Sequence, residues 1–313
     1  MKNRKNEGGL ERYSCFVKYC FIVFTIVTTC FQLATASDTA NPLACYQLSS
    51  QPKFNLKKAD VIDVIQGKDI SVYVLEVGPH IGMSFERKHD IQSMYNPLDS
   101  TELAMSYGRI MTLGVLYPTT KEIKKVLMIG LGGGRITSYL SQYMKNTHFT
   151  GVELSPEVIK VAQQYFDVKP SEKIKIVESE GWKFLKGSKE KFDLIFLDAY
   201  WKEILPEHLK GEAFYKEVKK HLVSGGAVVQ NVFNKRYFLS EAEDVMTKLF
   251  DHVDIFERGH NFILIGYDGP LKTESEKVTL AETLQKKYDF RYNLKDLFEC
   301  FFYESIPDAP RKN

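Results

Sequence analysis

The feature that most constrains the fold is an alternation of short apolar runs with helical segments between residues 125 and 233. The runs that have the length and apolar content of buried strands are "KVLMIGL" (125–131), "HFTGVEL" (148–154), "KIKIVES" (173–179), "FDLIFLDAY" (192–200) and "GAVVQNVF" (226–233). Strands that alternate with helices pair in parallel through right-handed crossovers, and the helices cover both faces of the sheet. The sequence therefore predicts an α/β fold with a mostly parallel, doubly wound sheet.

Two local signals refine this prediction. In "SPEVIKVAQQYF" (155–166), Ser155 is placed to cap the helix and Pro156 occupies its first turn, where the missing N–H costs nothing. Farther along, "HVDIFERG" (252–259) and "NFILIGYDG" (261–269) are separated by almost no residues. We therefore expect them to form an antiparallel hairpin at the C-terminal edge of the sheet.

The regions that flank the alternating segment differ from it. "DISVYVLEVG" (69–78) and "IGMSFE" (81–86) predict a hairpin within a small N-terminal β region. Residues 98–117 have apolar side chains at near-helical spacing and are followed by Pro118, which predicts one helix. The tail from Ser275 to Phe302 also has a helical pattern, and the last residues have none. The predicted division is a targeting segment (1–36), the β region (46–97), the α/β domain (98–270) and a helical tail (271–313).

The targeting segment is predicted from charge and hydropathy. Basic residues precede an uncharged run, "YCFIVFTIVTTCFQLATAS" (19–37), whose apolar centre suits a secretory signal peptide better than a full membrane span. The small residues Ala34 and Ala36 stand where a signal peptidase reads the chain. A cleaved signal peptide predicts a secreted protein, whereas an uncleaved signal anchor would tether the chain. Either reading leaves the bulk of the chain outside the cytosol and gives membrane contact only through this segment.

Charge and cysteine content limit the remaining functions. The formal net charge is +2 without a long run of one sign, which argues against an extended nucleic-acid surface. Behind the targeting segment only Cys45 and Cys300 remain. In an oxidising compartment they could pair, or they could be two unrelated thiols. Two cysteines without clustered histidines make a zinc site improbable, so no metal is expected.

The stretch "LMIGLGGGRITSYL" (128–141) carries the strongest chemical signal. Gly130, Gly132 and Gly134 lie between the first parallel strand and a helix, and glycines let a ligand approach the backbone. The N–H groups at the start of that helix are free to bind an anionic or polar ligand. A tight turn without a ligand would have the same glycines, so this stretch alone does not establish a site.

Acidic residues at later strand ends strengthen the prediction. Glu153 ends the second strand about 20 residues after the glycines, where a carboxylate can accept both hydroxyls of a ribose. Glu180, followed by Gly181, ends the third strand, and Asp198 ends the fourth. Because the carboxyl ends of parallel strands meet in one crevice, we expect these groups to surround a nucleoside.

These residues resemble a known family. The stretches "VLMIGLGGG", "GVELSPEVIKVAQQYF", "ESEGWKFL", "FDLIFLDAY" and "SGGAVVQNVF" are similar to the Rossmann-like class I S-adenosylmethionine-binding superfamily. The match is closer to its spermidine-synthase branch, the polyamine aminopropyltransferases. "VYVLEVGPHIGMSFERKHDIQSMYNPLDSTELAMSYGRIM" (72–111) resembles that branch's N-terminal hairpin and the helix that follows it. The resemblance covers roughly residues 60–270.

The resemblance implies roles for individual residues. Gly130, Gly132 and Gly134 would shape the turn under the cofactor, and Gly181 would belong to the cofactor-binding residues. Glu153 would hold the ribose, and Glu180 would stand where the family has an aspartate facing the adenine amine. Gln92 matches a glutamine that contacts the cofactor. Asp198 matches the catalytic carboxylate, Tyr107 a tyrosine near the amine substrate, and the aromatic pair Tyr200 and Trp201 would border that substrate.

Three departures bear on the donor and the acceptor. The branch places an aspartate for the donor's ammonium where this chain has Arg135. Two like charges ~4 Å apart repel by ~4 kcal/mol at an effective dielectric of 20. Arg135 would therefore disfavour decarboxylated S-adenosylmethionine and could pair with the carboxylate of ordinary S-adenosylmethionine, or it could point into solvent. Trp201 replaces a polyamine-binding acid, and Arg109 stands where the branch tends to be acidic, which should weaken a polycation site.

Three functions remain open on the sequence. The favoured one is a spermidine-synthase-like transferase that uses S-adenosylmethionine or its decarboxylated form to alkylate an amine-type acceptor, and that is not a true spermidine synthase. The first alternative is an S-adenosylmethionine-dependent methyltransferase. The second is a non-catalytic protein that binds a nucleoside or a partner on the same fold. The acceptor, a small amine or a protein, is not named by the sequence, and the N-terminal hairpin region could mediate a homodimer, as in similar enzymes.

Overall fold

The computed structural model describes residues 40–52, 55–86, 91–200, 206–233 and 236–307. The predicted targeting segment, residues 1–36, lies outside this range, as does Trp201. Within the range, no helix combines the length and the apolar character that a membrane crossing would require.

The central layer is an eight-stranded sheet with helices on both faces. Its strands are β5 (Lys125–Ile129), β6 (His148–Glu153), β7 (Ile174–Glu178), β8 (Phe192–Leu197), β9 (Leu222–Phe233), β10 (His252–Arg258), β11 (Asn261–Tyr267) and β12 (Phe302–Pro307). The strand order is β12-β10-β11-β9-β8-β5-β6-β7, and the pairs from β9 to β7 are parallel. The chain runs outward from β5 through β6 to β7, and then continues on the other side of β5 through β8 to β9. This reversal makes a topological switch point at β5, where α/β sheets bind ligands.

The helices connect these strands in the predicted order. They are α1 (Pro42–Ser49), α2 (Ser106–Met111), α3 (Arg135–Tyr143), α4 (Pro156–Tyr165), α5 (Gly181–Gly187), α6 (Glu212–Lys220), α7 (Arg236–Leu249), α8 (Glu274–Tyr288) and α9 (Leu294–Phe301). Ser155 caps α4 as predicted, because its hydroxyl accepts a hydrogen bond from the Val158 N–H at 3.1 Å. Short 3₁₀ turns lie at Leu56–Lys58, Thr112–Leu116 and Glu207–Leu209.

The N-terminal β region is a four-stranded antiparallel sheet. Its strands are β1 (Asp60–Gln66), β2 (Ser71–Val77), β3 (His80–Phe85) and β4 (Ile91–Tyr95). The predicted hairpin is formed by β2 and β3. The buried face of this sheet packs on α4, where Val72 and Val74 meet Val158 and Phe166 in one apolar cluster. This packing places β4 next to the glycine loop after β5.

The single helix predicted over residues 98–117 is wrong at its start. Residues 96–102 form turns, and α2 begins only at Ser106. The Asn96 side chain accepts from the Leu98 N–H at 3.0 Å, and the Asp99 side chain accepts from the Thr101 N–H at 3.1 Å. Such local side-chain bonds compete with helical hydrogen bonds, and the apolar spacing did not reveal them.

The predicted antiparallel hairpin β10–β11 is present on this side of the sheet, and one further strand, which the sequence did not predict, lies beyond it. β12, from the tail that was expected to be helical and then loose, pairs antiparallel with β10 and lies outside it. The helical part of the tail is present as α8 and α9, which pack together against the core.

The two cysteines whose pairing the sequence left open form a disulfide. Cys45 on α1 bonds to Cys300 on α9, with their Cα atoms 5.3 Å apart at a sequence separation of 255. Arg109 also holds α1, because its Nη1 donates to the carbonyls of Leu48 and Ser50, both at 2.8 Å. The expectation that Arg109 adds a cation to the substrate site is therefore wrong: its guanidinium is buried against backbone carbonyls.

Candidate functional site

A cavity of about 590 Å³ opens at the carboxyl ends of β5, β6, β8 and β9. Its walls include the glycine loop, the segment around β4, the start of α2, and the turn between β10 and β11. All but one of the described residues that the sequence predicted for the site line it: Gln92, Tyr107, Gly130, Gly132, Arg135, Glu153, Glu180, Gly181, Asp198 and Tyr200. The exception, Gly134, packs against Val168 and Leu131. The topology therefore gathers these side chains at one edge of the sheet.

The backbone geometry requires glycine at two positions of the loop after β5. Gly130 has φ +85°, and a Cβ there would lie 2.5 Å from the carbonyl oxygen of Asp198. Gly134 has φ +62°, begins α3 as its N-cap, and would bring a Cβ within 2.6 Å of Val168. Because glycine alone adopts these conformations at low cost, the loop can pass tightly beside the end of β8. This close passage brings the glycine loop and Asp198 into one site.

Glu153 ends β6 with its carboxylate against the loop. Its Oε2 accepts from the Gly132 N–H at 3.0 Å, and its Oε1 accepts from the N–H groups of Leu154 at 2.9 Å and Ser155 at 3.2 Å. Burial raises the pKa of Glu153, although these hydrogen bonds oppose the shift. The carboxylate is thus fixed in place. Oε1 accepts two of these bonds and Oε2 accepts one, so that Oε2 retains a lone pair that can accept from a ligand hydroxyl.

The carboxylate of Glu180, which was predicted to bind the cofactor, also makes hydrogen bonds within the protein. Its carboxylate caps α5 by accepting from the N–H groups of Trp182 at 2.9 Å and Lys183 at 2.8 Å. His208 lies 3.1 Å from Oε1 of Glu180. Gly181 follows at the start of α5, where a Cβ would be 2.5 Å from Ile129. The β7 end of the cavity is therefore closely packed around this carboxylate.

Asp198 is held from two sides at the end of β8. Tyr107 donates its hydroxyl to Oδ2 at 3.1 Å, and Asn231 donates its amide to Oδ1 at 2.7 Å. Burial raises the pKa of Asp198 to about 7, with the hydrogen bonds from Asn231 and Tyr107 opposing the shift. Burial, followed by the Asp198 charge, raises the pKa of Tyr107 well above its ordinary value. Asp198 is consequently an oriented carboxyl group that exchanges a proton near neutral pH.

Tyr200 lies two residues beyond Asp198 and lines the cavity, and its hydroxyl forms hydrogen bonds to β9. The hydroxyl donates to the Asn231 carbonyl at 2.7 Å and accepts from the Phe233 N–H at 2.9 Å. The aromatic ring is thus immobilised beside the carboxylate. Its predicted partner, Trp201, lies outside the described residues.

Arg135 is not the solvent-exposed side chain that one reading of the sequence allowed, since it is only 8% exposed. Its Nη1 donates to the Phe166 carbonyl at 2.9 Å and its Nη2 to the Ser100 carbonyl at 2.6 Å, while the guanidinium stacks 4.4 Å from the Tyr95 ring centre. Burial lowers the pKa of Arg135 to about 10, so that it stays charged at neutral pH. Its Nε is buried without a hydrogen-bond partner. The cavity wall therefore carries a fixed positive charge at this position.

Sequence reasoning missed several residues of the site. Ser93 on β4 accepts from the Gly133 N–H at 3.0 Å and so ties the N-terminal sheet to the glycine loop. Asn231 holds Asp198, and Asn261 donates to Asn231 Oδ1 at 2.9 Å. Arg258 and His260 line the wall next to Asn261. The polar pair Gln230-Asn231 inside an apolar strand was a usable signal for Asn231, because an amide in a buried strand needs a partner.

The prediction that the chain has no metal site can be compared with the side chains that the structure describes. Among them, no group of three or more His, Cys, Asp or Glu residues is arranged to hold a metal ion.

Sequence comparison relates the chain to two kinds of enzyme. Residues 107–256 match the spermine/spermidine synthase domain. A polyamine aminopropyltransferase of Vibrio vulnificus (strain CMCP6) is 32% identical over 161 residues, which are 50% of this chain and 50% of the relative. An eEF1A lysine and N-terminal methyltransferase homolog of Drosophila pseudoobscura pseudoobscura is 32% identical over 116 residues, 34% of this chain and 17% of the relative. The chain thus spans half or less of the length of these curated relatives.

Solved structures resemble the fold at low sequence identity. A probable spermidine synthase from Corynebacterium glutamicum ATCC 13032 superposes with a TM-score of 0.64 at 17% identity, covering 72% of this chain and 88% of that one. Human methyltransferase-like protein 13 in complex with SAH superposes with a TM-score of 0.54 at 19% identity, covering 58% of this chain and 92% of that one. These likenesses support the predicted α/β fold. Together with the matching domain over residues 107–256, they support a spermidine-synthase-like protein with the class I S-adenosylmethionine-binding fold.

Proposed function

We propose that the protein is a transferase that alkylates an amine-type acceptor with an S-adenosylmethionine-type donor, and that it is not a true spermidine synthase. The observation that carries the proposal is the Tyr107–Asp198–Asn231 network, which lies in the same cavity as the glycine loop and Glu153. A nucleoside bound against Glu153 and the loop would present its sulfonium side toward β8. Asp198 would then be the carboxylate closest to an incoming nucleophile.

The reaction requires the protein to align the amine with the donor and to supply a base. The donor sulfonium is already activated, so that an amine nitrogen can attack the carbon bonded to sulfur. The new C–N bond forms while the C–S bond breaks, and the electron pair stays on sulfur as a neutral thioether. The amine loses a proton, which Asp198 accepts. A carboxyl group with a pKa of about 7 suits this step, because a base works best when its pKa is near the working pH.

The charge of Arg135 bears on the choice of donor. The guanidinium is buried in the cavity wall, and no carboxylate pairs with it among the residues described. A decarboxylated donor would bring its ammonium toward this cation, whereas ordinary S-adenosylmethionine would bring a carboxylate as well. The charge therefore favours ordinary S-adenosylmethionine.

Methyl transfer is the second candidate. Arg135 favours the donor that methyltransferases use, and the eEF1A methyltransferase homolog is as similar over its matched segment as the aminopropyltransferase. Both reactions would use Asp198 in the same role. They differ in the bond broken at sulfur, and hence in the thioether product.

We further propose that the domain resides in an oxidising compartment, outside the cytosol. The Cys45–Cys300 disulfide supports this location, because cytosolic thiols are usually kept reduced. The basic and apolar pattern of residues 1–36 supports it independently.

The product of the reaction tests the proposal. The purified chain is incubated with each donor and a panel of amines, and the thioethers are separated by mass. S-adenosylhomocysteine indicates methyl transfer, and 5′-methylthioadenosine indicates transfer of the longer chain. We expect Asp198→Asn to abolish turnover while the donor still binds, and Asp268→Asn, at an ion pair outside the cavity, to leave both unchanged. Failure of both donors to bind would overturn the enzyme and leave the non-catalytic alternative.

A further inference from the structure

The cavity contains a cation that neither the glycine loop nor the Asp198 network uses. Arg258 ends β10 and lines the cavity. It is paired in register with Asn261 on β11, and Asn261 is linked through Asn231 to Asp198 by hydrogen bonds of 2.9 Å and 2.7 Å. This chain of contacts places Arg258 at the same end of the cavity as Asp198. We call this end, with Tyr107, Asp198, Asn231, Arg258 and Asn261, the acceptor end.

The hydrogen-bonding capacity of Arg258 is largely unused. Its Nη2 donates to the Ser49 carbonyl at 2.5 Å, whereas its Nε is buried without a partner. A guanidinium has five N–H donors, and buried donors without partners are rare in folded proteins. No carboxylate pairs with it among the residues that the structure describes. An arginine in this state at a cavity wall is a suitable site for an anionic group of a ligand.

The other arginines near the cavity differ from Arg258. Arg109 is buried against the carbonyls of Leu48, Ser50 and Leu103 and does not line the cavity. Arg135 lies beside the glycine loop and has both terminal nitrogens on carbonyls. Of these three arginines, Arg258 is thus the one that lies at the acceptor end.

The acidic groups of the cavity are distributed unevenly. Glu153 and Glu180 lie at the ends of β6 and β7 and accept hydrogen bonds from backbone N–H groups. Among the described residues of the acceptor end, Asp198 is the single carboxylate. Arg258 would repel the far ammonium of a diamine whose near amine is bound at Asp198. The charges suit an acceptor with one amine and one acidic group.

We infer that the acceptor is an amine whose far end carries a carboxylate or a similar anion, with Asp198 binding the amine and Arg258 binding the anion. This inference rests on the proposed function and specifies its substrate class. The transfer step is unchanged: the amine nitrogen gains the alkyl group, sulfur keeps the electron pair of the broken bond, and Asp198 takes the proton. Arg258 acts in binding and orientation.

Three amines of equal chain length test the inference. The full chain, saturated with 5′-methylthioadenosine, is titrated with 4-aminobutanoate, 1,4-diaminobutane and 1-butylamine, which differ only at the far end. We expect 4-aminobutanoate to bind about ten- to a hundredfold more tightly than butylamine, because it gains a charge-assisted hydrogen bond. The diamine should bind most weakly. Turnover with each amine, measured with both donors, should follow the same order.

Arg258→Gln separates recognition of the anion from a structural role at Ser49. The variant should lose the preference for 4-aminobutanoate while its affinity for butylamine stays within about twofold of the wild type. A purely structural role would weaken the binding of all three amines alike. Arg291→Gln is the matched control, because Arg291 pairs with Asp99 and does not line the cavity.

The remaining outcomes of these titrations contradict either the inference about the acceptor or the proposed function. Equal affinity for the three amines, tighter binding of the diamine, or no binding of any amine overturns the inference about the acceptor. If the wild-type chain does not bind 5′-methylthioadenosine, the proposed function itself is overturned. A series of ω-amino acids with three to six carbons then reports the distance between Asp198 and Arg258 that the acceptor spans.

Discussion

The side-chain amide of Asn231 lies 2.7 Å from the carboxylate of Asp198, across the neighbouring parallel strands β8 and β9. Asn231 is 3% exposed, and its own Oδ1 accepts from Asn261 at 2.9 Å. Because the oxygen of the amide is engaged by Asn261, the NH₂ group must face Asp198. The orientation of the carboxylate is therefore determined by a residue that is distant in sequence and adjacent in the sheet.

Replacing Asn231 by aspartate tests this relationship. Two carboxyl groups at hydrogen-bond distance cannot both ionise easily, so the pair should release its second proton at a higher pH than Asp198 does alone. We expect the acidic limb of the pH–rate profile of Asn231→Asp to move up by about one pH unit or more. Asn146→Asp, at an exposed position outside the cavity, is the matched comparison and should leave the profile unchanged. An unshifted profile would contradict a direct interaction.

The pKa of Asp198 predicts how activity depends on pH. Because burial raises this pKa to about 7, the ionised base becomes scarce below neutrality. We expect kcat/KM to fall about tenfold per pH unit below pH 7 and to level off above it. The measurement is the initial rate against pH at subsaturating acceptor, and a limb with a midpoint near the ordinary aspartate value would contradict the account.

The same shift has a consequence for stability. The folded state holds the Asp198 proton up to about pH 7, while the unfolded chain releases it near its ordinary pKa of 3.8. The unfolded state thus binds fewer protons between these values, so this group makes the free energy of unfolding fall as pH rises, by up to about 4 kcal/mol. Chemical denaturation of wild type and Asp198→Asn at several pH values should show the difference, with the variant gaining relative stability toward pH 8.

Gly130→Ala should damage both halves of the site. The added Cβ would lie 2.5 Å from the Asp198 carbonyl oxygen, at a φ of +85° that costs a non-glycine residue about 1–3 kcal/mol. We expect weaker donor binding and lower kcat together, because the loop and Asp198 must move apart. Gly187→Ala, where nothing lies within 4 Å of the added Cβ, is the control and should behave like the wild type. Calorimetric titration with the donor and steady-state rates measure the two effects.

Removing the Cys45–Cys300 disulfide should lower stability. A cross-link that closes a loop of 255 residues stabilises the folded state by about 5 kcal/mol in the chain-entropy model. Cys45→Ser and Cys300→Ser should each show the loss, and the double variant should lose no more than either. Urea denaturation measures the loss in the free energy of unfolding. Unequal losses among the two single variants and the double variant would contradict a single shared bond. α1 contacts the cavity at its acceptor end, where Arg258 donates to the Ser49 carbonyl. We therefore expect the affinity for the donor to be unchanged.

The parts of the fold that depend on local sequence patterns were predictable. The parallel strands, the Ser155 cap and the hairpin β10–β11 follow from apolar runs and turn signals. β12 was not predictable in this way, because an edge strand is stabilised by pairing with β10, a partner that lies about 50 residues earlier in the chain. The late start of α2 depends on two side-chain turns that an apolar pattern does not register.

The residues of the functional site were likewise predictable only where they follow from local sequence patterns. Strand-end residues such as Glu153 and Asp198 could be expected to meet, because parallel strands carry their carboxyl ends to one edge. Arginines could not be assigned from sequence, since Arg109, Arg135 and Arg258 look alike there and differ only in what surrounds them. Arg109 and Arg135 have their terminal nitrogens on several backbone carbonyls, whereas Arg258 makes one such bond and retains unused donors at the acceptor end of the cavity. Only the packing of α1, β4 and β10 around the sheet distinguishes them.

The central claim is that the rim formed by the glycine loop and the strand-end acids binds the adenosyl group of an S-adenosylmethionine-type donor. Calorimetric titration of the chain with S-adenosylmethionine and 5′-methylthioadenosine, for wild type, Glu153→Gln and Glu178→Gln, tests it most directly. Glu178 is the register partner of Glu153 on β7 and is exposed outside the cavity, so that it serves as the control. We predict that wild type and Glu178→Gln bind both ligands alike, and that Glu153→Gln loses at least about tenfold in affinity. No binding by the wild type, or equal binding by Glu153→Gln, would contradict the account.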